Sequence, residues 1–167
     1  MNTKHQSKAI AFLRIAFGVV WVIDAQFKWQ PAFANNFTSY IQGAINGQPT
    51  FIQTWLHFWL KLVSVDPHLF ARFAALGETA IAIGLLFGLF SNLTCAVGAL
   101  LALYIWAVPE GLGGPYVAGS TDIGTGIIYV FVFAALFLLS AGQHYGLDRT
   151  LREKLGRLRF LSSAPEK

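Results

Sequence analysis

LFARFAALGETAIAIGLLFGLF, residues 69–90, decides how the rest of the chain is read. Apart from Arg72, Glu78 and Thr79 it holds only apolar residues and glycine, with no proline. A helix needs roughly 20 such residues to cross a hydrocarbon core, and about 17–25 are tolerated. An arginine and a glutamate inside such a run are costly unless they face a protein interior and find partners there. They therefore mark a face against which other helices must pack.

Working outward, three more stretches share the pattern. Residues 9–28 carry Arg14, Asp24 and a terminal Lys28; residues 93–110 end in Glu110; residues 122–141 begin with Asp122 and are otherwise uncharged. Lipid offers the backbone no hydrogen-bond partners, so these spans should be helices that bundle together. Composition agrees: 12% of the 167 residues are charged and 55% apolar, where soluble domains carry about 25% charged. The expected fold is an all-α integral membrane four-helix bundle, with 1–167 as a single domain. Lys4 and Lys8 before an apolar stretch resemble a signal peptide, but Arg14 and Asp24 interrupt it and no small-x-small site follows.

Charge distribution orients the spans. Lys4 and Lys8 precede the first, and Arg149, Arg152, Lys154, Arg157, Arg159 and Lys167 follow the last, whereas the other loops offer little beyond Lys28 and Lys61. Basic residues collect on the cytoplasmic side, which places both termini in the cytoplasm and the chain in the cell (plasma or inner) membrane. The net charge of +4 is thus a topological signal, and no nucleic-acid partner is expected.

Two flanking segments read as amphipathic helices. In the long outer loop, 51–63 puts Phe51, Trp55, Phe58, Trp59 and Leu62 on one face, and Gln53, Thr54, His57 and Lys61 on the other. That pattern suits a helix lying on the outer leaflet, with a lid packed on the bundle as the competing reading. In the tail 142–167, Leu147, Leu151, Leu155 and Leu158 recur among arginines, with Asp148 as the N-cap. This reads as a basic surface helix drawn to anionic lipid. Gly84 and Gly88 form a GxxxG pair that lets another backbone approach.

At about 1.5 Å per residue and a core of about 30 Å, Glu78 sits near the middle of the bilayer and Asp24 roughly 5 Å further out. Arg72 and Lys28 lie just below the outer surface, and Arg14 about 6 Å from the inner edge. Asp24 and Lys28 share a helical face and can pair. Arg72 is close enough in depth to join them, and Arg14 could reach Glu78 from below. Glu110 and Asp122 sit at the outer end, where Thr121 or Asp122 could cap the fourth helix. Trp21, Trp29, Trp106 and Tyr116 supply aromatic groups at similar levels. The glycine-rich loop 109–124 then reads as the rim of an outward-facing polar pocket with Glu78 as its floor. Either these charges only fix helix register, or they line a small-molecule pocket in which Glu78 or Asp24 handles protons.

Several chemistries fail on sequence. There is no GxxxxGK[ST], and GxGxxG fails because Tyr116 stands where the last glycine should be. None of the four histidines lies mid-span, which removes a bis-histidine haem. There is no HExxH and no nucleophile elbow. Cys95 is the only cysteine and cannot run a disulfide relay alone. Neither metal nor haem is expected, so redox chemistry would need a bound quinone or a partner.

The chain resembles the DoxX/DoxD family of membrane proteins. The similarity runs through LRIAFGVVW with Arg14 and Gly18, DAQFKW with Lys28, GETAIAIGLLFGL with Glu78, WAVPEGLGGPY with Trp106 and Glu110, GSTDIGTGIIYVFVF with Asp122, and YGLDR at 145–149. The chain departs from the family pattern at Ala25, where glycine is common, and at the Ser91-Asn92 turn, where an arginine is common. The resemblance implies a membrane subunit that oxidises thiosulfate to tetrathionate and passes electrons to quinone, with a DoxA-like companion subunit. Thiosulfate, a small anion, would approach past Lys28 and Arg72. The quinone would lie among the aromatics, with Glu78 or Asp24 as the catalytic carboxylate. Arg14, Trp106, Glu110, Tyr116 and Asp122 complete the expected binding set, and homo-oligomers are compatible with it. The alternative is a non-catalytic scaffold, assembly factor or small-solute carrier.

Overall fold

The computed structural model describes residues 3–164; Lys167, counted above with the basic tail, lies outside the described residues. Among these the chain is all-helical. The helices are α1 (Thr3–Lys28), α2 (Pro31–Asn35), α3 (Phe37–Ile45), α4 (Thr50–Val63), α5 (Pro67–Phe87), α6 (Ser91–Ala107), α7 (Thr125–Leu138) and α8 (Asp148–Leu151). Two of them, α1 and α5, are long and apolar enough to cross a membrane.

The ends of α5 follow from its sequence. The Asp66 carboxylate accepts the Leu69 N–H at 3.0 Å and Pro67 opens the first turn, where a missing N–H costs nothing. At the other end Gly88 takes left-handed dihedrals (φ 59°, ψ 48°) and its N–H closes on the Gly84 carbonyl. The helix therefore stops at Phe87, short of the apolar run in the sequence. Similarly, α6 stops at Ala107 before Pro109, whose ring cannot continue a helix.

Helix α1 packs along α5, and α6 along α7. Between them lies a core of aromatic rings. Phe17 sits edge-on to Phe133 and Tyr129, with centroids 4.9 and 5.2 Å apart, and Trp21 closes the cluster. Gly98 makes room for the Phe133 ring, and Gly84 for the Thr94 side chain on α6. The GxxxG pair thus splits its duties: Gly84 packs helix on helix, while Gly88 ends α5 against Gly146 and Arg14.

This apolar core encloses two charged residues, while large apolar side chains cover much of the outside. Arg14 and Glu78 are each only 1% exposed, while Phe12, Phe73, Leu100, Phe131 and Leu138 point outward, each more than half exposed.

Two sequence expectations need correction. Helix α4 is apolar on two faces: Ile52, Leu56 and Val63 are buried, and Trp59 packs edge-on against Tyr104 at 5.1 Å. Phe51, Trp55, Phe58 and Leu62 face outward, so only part of the proposed aromatic face is free. The tail is not one amphipathic helix. Only Asp148–Leu151 is α-helical; Arg152–Leu161 winds as a tighter 3-10 segment broken at Gly156 and folds back. Asn92 donates to the carbonyls of Phe160 and Ser162 at 3.0 and 3.1 Å, and Ser162 and Ser163 are buried. Asp148 does not cap its own helix. Its carboxylate is fully buried and accepts the N–H groups of Ser91, at the start of α6, and Ser163, both at 2.9 Å.

Candidate functional site

A cavity of about 440 Å³ opens where the end of α1 meets α2, α3, α5 and α6. Its walls are mainly apolar and aromatic, from Phe27, Phe33, Phe37, Ile41, Leu101, Tyr104 and Ile105. Two charged residues line it, Glu78 from the middle of α5 and Lys28 from the last turn of α1. Lys28 Nζ stands 3.3 Å from Glu78 Oε1; the carboxylate side chain is 2% exposed and the ammonium side chain 24%. Lys28 also sits 5.3 Å from the centre of the Phe33 ring, a cation–π contact that steadies the ammonium. The second carboxylate oxygen, Glu78 Oε2, is buried and has no hydrogen-bond partner. A buried polar atom left unpaired is costly, so this oxygen is a free acceptor beside a cation.

The expected pairings rearrange. Lys28 pairs with Glu78 and not with Asp24, which is half-buried one turn earlier on α1. The hydrocarbon-like interior makes the fully buried carboxylate the more demanding partner. Arg14 does not reach Glu78. Its Nη1 donates to the carbonyls of Leu85 and Leu86, and its Nη2 to those of His144 and Tyr145 at 3.3 and 3.4 Å. The last carbonyls of a helix lack intrahelical donors, and the guanidinium fork supplies them. Glu78 lies seven residues before Leu85, about 10 Å up the helix axis. Arg72 is exposed and does not line the cavity.

The glycine-rich loop serves its own closure more than the cavity. Glu110 accepts the Thr125 hydroxyl at 2.7 Å and the Gly126 N–H at 3.0 Å, so it caps α7. Neither Thr121 nor Asp122 does so: Asp122 is exposed and accepts the Gly124 N–H at 2.7 Å within a local turn. A carboxylate at a helix N-terminus is favoured by the dipole whichever residue supplies it. The Trp106 indole donates to the Ile123 carbonyl and the Tyr116 hydroxyl to that of Leu112, both at 2.7 Å. Of the loop, only Pro109 touches the cavity, so the loop is not its rim. Trp21 is core, and Trp29 donates to Thr79 at 3.0 Å, tying the end of α1 to α5 beside Glu78.

The rim is instead α2 and α3, in the part of the long outer loop that precedes the 51–63 stretch. Phe33, Phe37 and Tyr40 cluster there, Phe33 edge-on to Phe37 with centroids 5.3 Å apart and tilted against Tyr40 at 5.6 Å. Their spacing of four and three, continued by Ile41, was the available signal. Comparison of the chain with protein-family models, with curated proteins and with solved structures finds no match.

Proposed function

We propose that the chain is an integral membrane protein whose helices α1, α5, α6 and α7 form the bundle, and that its cavity takes a quinone headgroup in a membrane subunit of a quinone-linked oxidoreductase. Large apolar side chains on the outside and the charged Arg14 and Glu78 turned inward support the membrane placement. At about 1.5 Å per residue, α6 and α7 run roughly 25 and 21 Å. A bilayer of about 30 Å thins locally around such shorter spans. With the basic ends inside, the cavity opens toward the outer leaflet.

One observation carries the quinone reading: the unpartnered Glu78 Oε2 beside the Lys28 ammonium, at one wall of an aromatic cavity. A quinone is an apolar ring with carbonyl oxygens, which become hydroxyls when it accepts two electrons and two protons. Phe33, Phe37 and Tyr104 offer ring surface, the ammonium donates to an oxygen, and the carboxyl group at Oε2 gives or receives a proton. The walls suit a neutral ring better than a dianion. Thiosulfate, the donor implied by the DoxX/DoxD resemblance, is therefore assigned to the outer face or a DoxA-like companion. There two thiosulfate ions join through a sulfur–sulfur bond and release two electrons.

Photolabelling tests this. The full chain in lipid nanodiscs, exposed to an azido-quinone, should be labelled on peptides containing Phe33, Phe37 or Tyr104, and excess decylubiquinone should suppress the label. Label spread over the outward faces of α1 and α7, indifferent to competitor, would sink the proposal.

A second reading has its own observation. Lys28–Glu78 and the Arg14 fork clamp α1 to α5 at two levels, as a scaffold, assembly factor or carrier would also need. A folded Glu78→Gln variant with undiminished biological function favours it.

A further inference from the structure

Further along α5 and α6 the two helices leave a second hollow between them, a groove of about 370 Å³. Gly77, Ala80 and Gly84 line it from α5, Leu93 and Val97 from α6, and Phe90 at the turn that joins the helices. We infer that this groove holds the apolar tail of the quinone whose headgroup occupies the cavity, so that the ligand is a long-tailed membrane quinone. The inference rests on the quinone reading above and deepens it.

The groove continues the cavity. On α5, Ala74 lines the cavity and Gly77, three residues on and on the same face, lines the groove. On α6, Leu101 lines the cavity and Val97, one turn away, lines the groove. Leu101 is the boundary: its Cδ2 lies 3.7 Å from the place of a Gly77 Cβ, so the two hollows abut at this side chain. Gly77 adds no side chain there, and a chain leaving the cavity has only the Leu101 methyls to pass. Gly84 has no room for a Cβ against Thr94, so the helices meet closely and give the groove a floor.

The chemistry of the groove complements that of the cavity. Its walls carry no charge, and its one hydroxyl is already used: Thr94 Oγ1 donates to the Leu89 carbonyl at 3.0 Å. The polar groups stand in the cavity, with Lys28 beside the unpartnered Glu78 Oε2. A polar site that runs on into an apolar trough fits a quinone ring bearing a hydrocarbon tail. Gly77 to Gly84 spans about 10 Å of helix axis, enough for the first part of such a tail. Ile83, Leu93 and Val97 are exposed along the groove, so the remainder can pass into lipid.

Lipid chains are as apolar as the tail, so the groove gains only through contact and shape, and the expected preference is modest. The test uses the full chain in lipid nanodiscs with a tail-less azido-benzoquinone as label. It is competed by decylubiquinone or by the tail-less parent, dimethoxy-methyl-benzoquinone. Each competitor partitions into the same lipid for every variant, so ratios between variants report on the protein. Ala80→Phe fills the groove from an exposed position outside the cavity. It should weaken competition by decylubiquinone about three- to tenfold and leave the tail-less competitor within about twofold. Ala134→Phe, the same change at an exposed position of α7, should alter neither. If Ala80→Phe does not fold, Ile83→Trp should give the same selective loss. Unchanged competition by both in folded variants means that ordinary lipid fills the groove and overturns the inference. Equal weakening of both places the effect at the headgroup and overturns it as well. A fall from dimer to monomer in Ala80→Phe, with both competitors unaffected, assigns the groove to a second copy of the chain instead. A wild-type protein that takes the label on Phe33, Phe37 or Tyr104 peptides but shows no groove effect loses the tail site alone. One that takes no label loses the headgroup site, and the tail site with it.

Discussion

Lys28 and Glu78 meet at 3.3 Å across two helices, both lining the cavity, the ammonium partly exposed and the carboxylate buried. Removing one member of a buried pair leaves the other charge uncompensated, which costs about 3–5 kcal/mol. Lys28→Met is expected to destabilise the protein by the lower part of that range, because its side chain is 24% exposed. The double change Lys28→Met with Glu78→Leu should recover most of the loss. Unfolding of the four variants in one detergent gives the coupling directly. Additive losses would mean that the pair contributes nothing to the fold as a pair.

Arg14 tests geometry apart from charge. Its fork reaches four carbonyls on two segments, and an ammonium cannot present that array. Arg14→Lys keeps the charge and should still cost about 2–3 kcal/mol, since buried hydrogen bonds to charged groups are worth about 1.5–3 kcal/mol each. It should also loosen the turn at 144–148, read as faster amide exchange at Leu147 and Asp148. Slow exchange there in a stable Arg14→Lys variant would show that charge alone suffices.

The four apolar segments were legible because length and composition survive any tertiary detail; each contains a helix, with an end moved by three residues at Gly88, Pro109 and Gly124, although only α1 and α5 are long and apolar enough to cross a membrane. Partner choice was not legible. Depth along a helix placed Arg14 and Glu78 within reach, but rotation and the free carbonyls at the end of α5 decided otherwise. The same holds for Asp148 and Glu110, which cap helices distant in sequence from themselves. Helices α2 and α3 escaped because they are short, five and nine residues, and meet at Asn36, although Phe33, Phe37 and Ile41 carry the right spacing.

Capping separates two acids of the glycine-rich loop. Glu110→Ala removes the carboxylate that holds Thr125 and Gly126 and should cost about 1–2 kcal/mol. Asp122→Ala, which loses one exposed turn contact, should stay within about 0.5 kcal/mol. Thermal unfolding ranks them, and the reverse order would return the cap to Asp122.

Two glycines should respond with opposite signs to the same added methyl. Gly98 faces the Phe133 ring with no space for a Cβ, so Gly98→Ala forces repacking at about 1–3 kcal/mol. Gly43 sits inside α3 with nothing within 4 Å, so Gly43→Ala should stabilise by about 0.5–1 kcal/mol through helix propensity. Equal effects would indicate that α6 and α7 are not packed through Phe133.

The cavity itself can be closed without touching its charges. Leu101 lines it from α6 and is not part of the Lys28–Glu78 pair. Leu101→Trp adds a bulky ring to a space of about 440 Å³, so the variant should fold with little loss while the ring occupies the ligand's place. Azido-quinone labelling of Phe33 and Phe37 peptides should then fall at least tenfold. Tyr116→Ala, on an exposed hydroxyl bonded only to its own loop, should leave labelling unchanged. Retained labelling in a folded Leu101→Trp protein would move the ligand out of this cavity. It would then leave Lys28 and Glu78 as the clamp between α1 and α5 that the scaffold reading requires.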